Sequence, residues 1–265
     1  MRAVIHCVLA LVAIALVVSG GTASVDTAAV RLPLRSDIES ILPTAAAAVG
    51  VAHPVMVTFR RPVVNREAVE RAIGLTSSPA RTGKFEWLDD KVVQWVPDQY
   101  WPAHSTISLS VGGVPLEFKT GPKIVGVASI SEHTFTVTVD GETPIDMPAP
   151  HHLPHLGEPG VLLASMGRSE YETPVGTYTV LGKDRSVTMD SSSVGIPVEA
   201  PDGYITEVEY AVRFTRRGLF VHSAPWAVES MGFENTSHGC ISLTPAAAEW
   251  YFNTVSVGDP VIVQE

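Results

Sequence analysis

Two side chains whose chemistry is complementary lie close together in this chain. Cys240 sits in the run Ser237-His238-Gly239-Cys240-Ile241-Ser242-Leu243, and His222 ends the apolar run Gly218-Leu219-Phe220-Val221. A thiol attacks a carbonyl as its thiolate, so it needs a base or a cationic neighbour. Gly239 leaves no side chain beside the sulfur, which lets a carbonyl come near backbone N–H groups. Such N–H groups are the usual makings of an oxyanion hole. His238 is the nearer histidine in sequence, yet residues i and i+2 of a strand share a face without their side chains meeting. His222 is the better base: it is a polar residue closing a buried strand, before Ser223 and Pro225. An inert buried thiol, or one half of an intermolecular disulfide, is the alternative reading of Cys240 taken alone.

His222-Ser223-Ala224-Pro225-Trp226, followed by Ser237-His238-Gly239-Cys240, resembles the active-site signature of the L,D-transpeptidase (YkuD) family. The likeness is strongest to mycobacterial-type members with a single immunoglobulin-like domain ahead of the catalytic one. Trp95-Val96-Pro97 and Tyr100-Trp101-Pro102 resemble that module, and the likeness runs through essentially the whole chain after residue 49. The resemblance implies Cys240 as nucleophile, His222 as general base and Ser223 as the residue whose carbonyl orients that histidine. It implies His238 and Gly239 as the pair beside the nucleophile, with neighbouring backbone N–H groups binding the oxyanion. Met189, Tyr204 and Trp226 match positions lining the substrate cleft. Tyr204, after Asp202-Gly203, reads as exposed. Residues 190–212 match a lid over the cleft.

The activity implied is formation of 3→3 cross-links in peptidoglycan. A tetrapeptide stem donates its acyl group through a Cys240 thioester, and a diamino acid side-chain amine accepts it. No cofactor or metal is implied, and carbapenems are implied as acylating inhibitors. The alternatives are an L,D-carboxypeptidase that trims stems with water, and a non-catalytic wall-binding protein. One departure from the family pattern stands out: Ser242 occupies a position where Asn is usual.

Stepping outward, these residues fall among short strands. Alternation marks Val55–Phe59, Val92–Val96, Thr106–Val111 and Thr134–Val139, while Ile124–Ile130, Gly160–Met166, Gly176–Leu181, Val208–Phe214, Gly218–His222 and Val261–Val263 read as further strands. Asp140-Gly141 predicts a tight turn. Asn65 caps a short helix over residues 65–73. Thr244 and Pro245 open a late one over residues 246–252. The fold class expected is mainly β: an immunoglobulin-like sandwich over residues 49–121, then a catalytic β-sandwich over residues 122–265 with one late helix. His151-His152-Leu153-Pro154-His155 reads as a solvated loop, with a metal site as the rarer alternative.

Arg2, the apolar run to Val18 and the small residues after it have the layout of an export signal over residues 1–28, with a linker over 29–48. An uncleaved membrane anchor is the alternative, although the run is short for a bilayer core. The location implied is the periplasm or cell wall. Of the two cysteines, Cys7 lies inside the signal and Cys240 alone survives its removal. A net charge of −10 argues against nucleic acid, whose binding rests on neutralised phosphates. Nothing in the sequence signals assembly beyond a monomer.

Overall fold

A computed structural model of the chain describes residues 34–265. The expected signal over residues 1–28, Cys7 and the start of the linker lie outside the described residues. Among the described residues no helix is long and apolar enough to cross a membrane.

The first half contains α1 (Leu34–Asp37), β1 (Ile38–Leu42), β2 (Ala48–Val49), β3 (Val55–Phe59), α2 (Arg66–Ile73), β4 (Thr76–Ser78), β5 (Gly83–Trp87), β6 (Val92–Pro97), β7 (Thr106–Val111) and β8 (Val114–Thr120). Its strands form two four-stranded sheets, ordered β1-β3-β6-β5 and β2-β8-β7-β4. Alternation explains why β3 and β7 form where expected: Val55, Val57 and Phe59 are buried on one face, as are Ile107, Leu109 and Val111. Between the sheets Trp101 packs on Trp95 at 5.9 Å and edge-on to Phe118 at 5.6 Å. Its indole N–H donates to the His53 carbonyl at 2.9 Å, which satisfies the one polar atom this burial traps. Asn65 caps α2 by accepting from the Ala68 N–H at 3.0 Å, and Gly74, at φ 45°, ends it.

Residues 38–42 and 48–49 differ from the linker expected over 29–48. β1 pairs antiparallel with β3, and β2 pairs parallel with β8. Their own patterns are weak because only one side chain of each strand is buried. The partner strand, rather than local alternation, makes them strands.

The second half contains β9 (Ile124–Ser129), β10 (Thr134–Val139), β11 (Val161–Ser165), β12 (Gly176–Thr179), β13 (Gly182–Asp190), β14 (Ile205–Arg213), β15 (Phe220–Ser223), β16 (Ile241–Leu243), α3 (Pro245–Thr254) and β17 (Pro260–Gln264). They make one nine-stranded sheet, ordered β12-β17-β9-β10-β11-β16-β15-β14-β13. The sheet curls, because a single core gathers residues from both of its wings. Phe135, Val137, Val261 and Val263 share that core with Val212, Val221, Ile241 and Leu243. α3 fills its middle through Ala247, Ala248 and Tyr251, with Tyr251 edge-on to Phe135 at 4.9 Å. Thr244 caps α3 and Pro245 begins it, as their order in the sequence predicts. At the expected turn after β10, Asp140 and Gly141 both have positive φ, 54° and 91°. The mainly β expectation, with one late helix in the second half, is met.

The halves meet backbone to backbone. Gly50 N–H donates to the Val257 carbonyl and Ala52 N–H to the Gly258 carbonyl, both at 2.8 Å. A Cβ on Gly50 would sit 2.1 Å from Asp259 N, so only glycine allows this approach. β13 and β14 pair along almost their whole length into a long hairpin. Residues 190–212, expected as a lid, are therefore partly strand, and the irregular tip covers residues 195–204.

Candidate active site

β15 and β16 run parallel, with Val221 opposite Ile241, His222 opposite Ser242 and Ser223 opposite Leu243. Side chains alternate between faces along each strand. Val221, Ile241 and Leu243 enter the core, which turns His222 and Ser242 to the other face. Cys240, two residues before Ser242, shares that face. It lies level with Phe220, whose N–H donates to Cys240 Sγ at 3.4 Å. The sheet thus brings the thiol and the imidazole to one surface.

That surface floors a cleft of about 550 Å³ lined by Cys240, His222, His238, Ser242, Met189, Tyr204 and Trp226, together with Thr206, Val208, Ala227, Ser230, Thr236 and Ser237. No Asp, Glu, Lys or Arg lines it. A second opening of about 340 Å³ also reaches Cys240, Met189, Tyr204 and His238.

His222 is buried, and its Nδ1–H donates to the Ser223 carbonyl at 2.8 Å. The Ser223 side chain points to the opposite face, so its backbone is the part that serves the ring. This fixes the tautomer and leaves Nε2 as the acceptor. Burial lowers the His222 pKa, opposed by the Ser223 hydrogen bond. Burial pushes the Cys240 thiol up to about 11, opposed by the Phe220 N–H. The resting pair is therefore neutral imidazole and neutral thiol, and the proton must move when a substrate arrives.

Ser237 and Thr173 hold the nucleophile turn. Ser237 Oγ accepts from the Gly239 N–H at 3.0 Å and donates to the Cys240 carbonyl at 2.7 Å. Thr173, buried, accepts from the Gly167 N–H and donates to the Gly239 carbonyl, both at 2.9 Å. Gly239 has φ 110°, where a side chain is strained. Its N–H is engaged by Ser237, which leaves it out of the backbone N–H groups near Cys240 that are open to an oxyanion. Thr173 was not legible in the sequence: it lies in a loop 66 residues from its partner.

Tyr204 is half-buried rather than exposed. Its ring lies 4.9 Å from that of His238, and burial raises its phenol pKa, followed by the neighbouring Cys240 and Asp190. Trp226 is 60% exposed at the rim, its ring 6.2 Å from His222. Met189 is partly buried in the hairpin wall. Ser242 is buried beneath the cleft. The histidine loop serves local structure: His152 Nε2–H donates to the Met231 carbonyl at 2.7 Å and its ring stacks on Phe233. His155 meets Glu158 at 2.6 Å.

Residues 123–263 match the family model for the L,D-transpeptidase catalytic domain, and residues 20–113 match that for the bacterial Ig domain. The chain is 61% identical to a probable L,D-transpeptidase 3 of Mycobacterium tuberculosis, with 100% of each chain covered.

The chain belongs to the L,D-transpeptidase family.

Solved structures agree. A crystal structure of L,D-transpeptidase 3 from Mycobacterium tuberculosis, in complex with a faropenem-derived adduct, matches with 65% identity and a TM-score of 0.81, covering 86% of this chain and 98% of that one. An L,D-transpeptidase in complex with imipenem matches with 46% identity and a TM-score of 0.77, covering 86% and 98%. This L,D-transpeptidase is accordingly an enzyme of the cysteine type, with an Ig-like sandwich ahead of the catalytic sheet.

Proposed function

We propose that this L,D-transpeptidase cross-links peptidoglycan 3→3 through an acyl-enzyme on Cys240. The observation that carries the reading is the shared face of Cys240 and His222, with Nδ1 tied to Ser223 and Nε2 free to accept. In the first step the Cys240 thiol passes its proton to His222 Nε2, and the sulfur attacks the carbonyl after the diamino acid of a tetrapeptide stem. The C–N bond breaks, His222 returns the proton to the departing D-alanine amine, and a thioester remains. In the second step the side-chain amine of another stem attacks the thioester, its proton passes through His222, and the thiol is regenerated.

Met189, Tyr204 and Trp226 are the walls that hold the donor, and the uncharged lining suits a peptide backbone more than a highly charged ligand. With the Gly239 N–H engaged, the oxyanion falls to other backbone donors, the Cys240 N–H first among them. His238 supports the nucleophile turn. The export signal expected over residues 1–28 is consistent with work in the cell envelope. An Ig-like spacer over residues 49–121, extended back by the paired strands β1 and β2, precedes a catalytic domain over 122–265.

The test is intact-protein mass spectrometry with imipenem and then with a disaccharide-tetrapeptide, beside Cys240→Ala. An adduct confined to Cys240 together with 3→3 dimers supports the reading. An adduct with tripeptide alone indicates hydrolysis, hence the carboxypeptidase. Neither adduct nor turnover overturns the catalytic reading.

A further inference from the structure

At the edge of the cleft, one polar cluster joins three segments far apart in sequence. Arg168 Nη2 donates to Asp202 Oδ1 at 2.6 Å, and the same nitrogen donates to His238 Nε2 at 3.2 Å. Asp202 belongs to the tip of the β13–β14 hairpin, and His238 stands two residues before Cys240. Tyr171 OH reaches the other oxygen of Asp202 at 3.4 Å, and the Arg168 guanidinium lies 4.7 Å over the Tyr171 ring. The rings of Tyr171 and Tyr204 flank His238 at 4.8 and 4.9 Å. Glu170 completes the charges around Arg168, at 3.6 Å from its Nε.

The root of this cluster is rigid. Arg168 N–H donates to the Ser237 carbonyl at 3.1 Å, and the Arg168 carbonyl accepts from the Tyr171 N–H at 2.8 Å. Arg168 is thereby fixed to the segment that carries the nucleophile. Asp202 is the polar attachment of the hairpin tip to that segment, through its carboxylate to Arg168 and its backbone to the His238 ring. Burial and then the Arg168 charge hold the His238 pKa below its ordinary value, opposed by the Asp202 charge and a hydrogen bond to the Asp202 backbone.

We propose that Arg168 and Asp202 form a latch that docks the hairpin tip on the nucleophile segment, positioning Tyr204 and His238 across the cleft mouth for the donor stem. Neither Arg168 nor Asp202 lines the cleft, so both are positioning residues. The latch rests on the reading that Cys240 is acylated by the donor. An ion pair this exposed contributes little to folding. Its effect belongs to donor binding, because a tip free to swing removes a wall of the site without touching the reacting atoms.

The experiment compares Arg168→Met, Asp202→Asn, the double variant and Arg168→Lys with the wild-type full chain, using disaccharide-tetrapeptide turnover and imipenem acylation. Each single variant is expected to raise KM by about tenfold with kcat within about threefold. The double variant is expected to be no worse than either single one, since both break the same bond. Arg168→Lys is expected to recover most of the loss, because one nitrogen makes both contacts. Wild-type KM in the single variants, or losses that multiply in the double, overturns the latch. Hydrogen exchange over residues 195–204 reads docking independently of activity: faster exchange in Arg168→Met and Asp202→Asn supports it, and unchanged exchange overturns it. A wild-type protein with neither adduct nor turnover instead overturns the Cys240 reading, and the exchange result still decides the latch.

Discussion

His222 lies directly opposite Ser242 in the parallel pairing of β15 and β16, which leaves Cys240 one pleat away on the same face. The strand period of two therefore does the positioning: the core side chains between them, Val221 and Ile241, hold the sheet while the reactive pair faces the cleft.

Replacing His222 by Gln keeps a polar side chain but removes the base. Turnover should fall by roughly 10²–10⁴-fold, the range for a positioned acid–base group. Because burial lowers the His222 pKa, the acid limb of kcat/KM should lie below the ordinary imidazole range. Activity then rises as pH increases through that lowered value, when the imidazole loses its proton and can act as base. A pH–rate profile with its acid limb above 7 would contradict this assignment.

Ser242 is buried beside His222, and among the described residues its Oγ ends no hydrogen bond. Ser242→Ala should therefore keep kcat/KM within about threefold, since no buried partner is left unsatisfied. Steady-state kinetics on a tetrapeptide stem checks this; a loss beyond tenfold would show that the hydroxyl meets the substrate.

Gly239 adopts φ 110°, and a Cβ there would come within 3.1 Å of Leu219 Cδ2 and 3.5 Å of the Tyr171 carbonyl. Gly239→Ala should destabilise the protein by about 1–3 kcal/mol through backbone strain. It should also shift the Ser237 and Thr173 bonds that hold the turn, and lower the rate of imipenem acylation. Thermal melting and adduct kinetics together read both effects. Unchanged values for both would mean that the turn relaxes freely.

Asp259 is fully buried at the junction of the two halves, with Oδ2 accepting from the Ser256 N–H at 2.8 Å and the Val51 and Ile124 N–H groups also turned toward the carboxyl. Burial raises its pKa to about 6, against backbone hydrogen bonds and the Lys183 charge that lower it. A carboxyl raised in the folded state stabilises the fold fully below its unfolded pKa, near 4, and loses that contribution as pH rises through about 6. Stability should fall by about 2–3 kcal/mol across that window, at ~1.4 kcal/mol per unit. Asp259→Asn should flatten this part of the profile. Urea melts at pH 4, 5, 6 and 7 check it, and an equal slope in wild type and variant would remove Asp259 as the cause.

Legibility followed burial. Val55–Phe59, Thr106–Val111 and Thr134–Val139 are strands over the residues that the alternation marks. In the first two, one face is core and the other is not, so the pattern carries the register. Gly182–Asp190 carries no alternation because none of its nine residues is buried and most are polar; its strand form comes from pairing with β14. In Ile38–Leu42 only Ile38 is buried, so its place is set by β3. The site divides likewise. Cys240, His238 and Gly239 are adjacent, and His222 stands at the end of a legible strand, whereas Thr173, Arg168 and Asp202 lie in loops with no periodic pattern.

The sequence by itself determined the mainly β class and the caps of both longer helices, and its resemblance to a known family paired the thiol segment with the imidazole segment. Class and caps depend on neighbours within a few residues, where alternation and capping act. The tertiary structure alone decided which histidine nitrogen is free, that the Gly239 N–H is engaged by Ser237, and that Arg168 reaches both Asp202 and His238. Each depends on contacts between segments whose separation in the chain sets no distance in space, and such contacts exist only once the sheet has curled around its core.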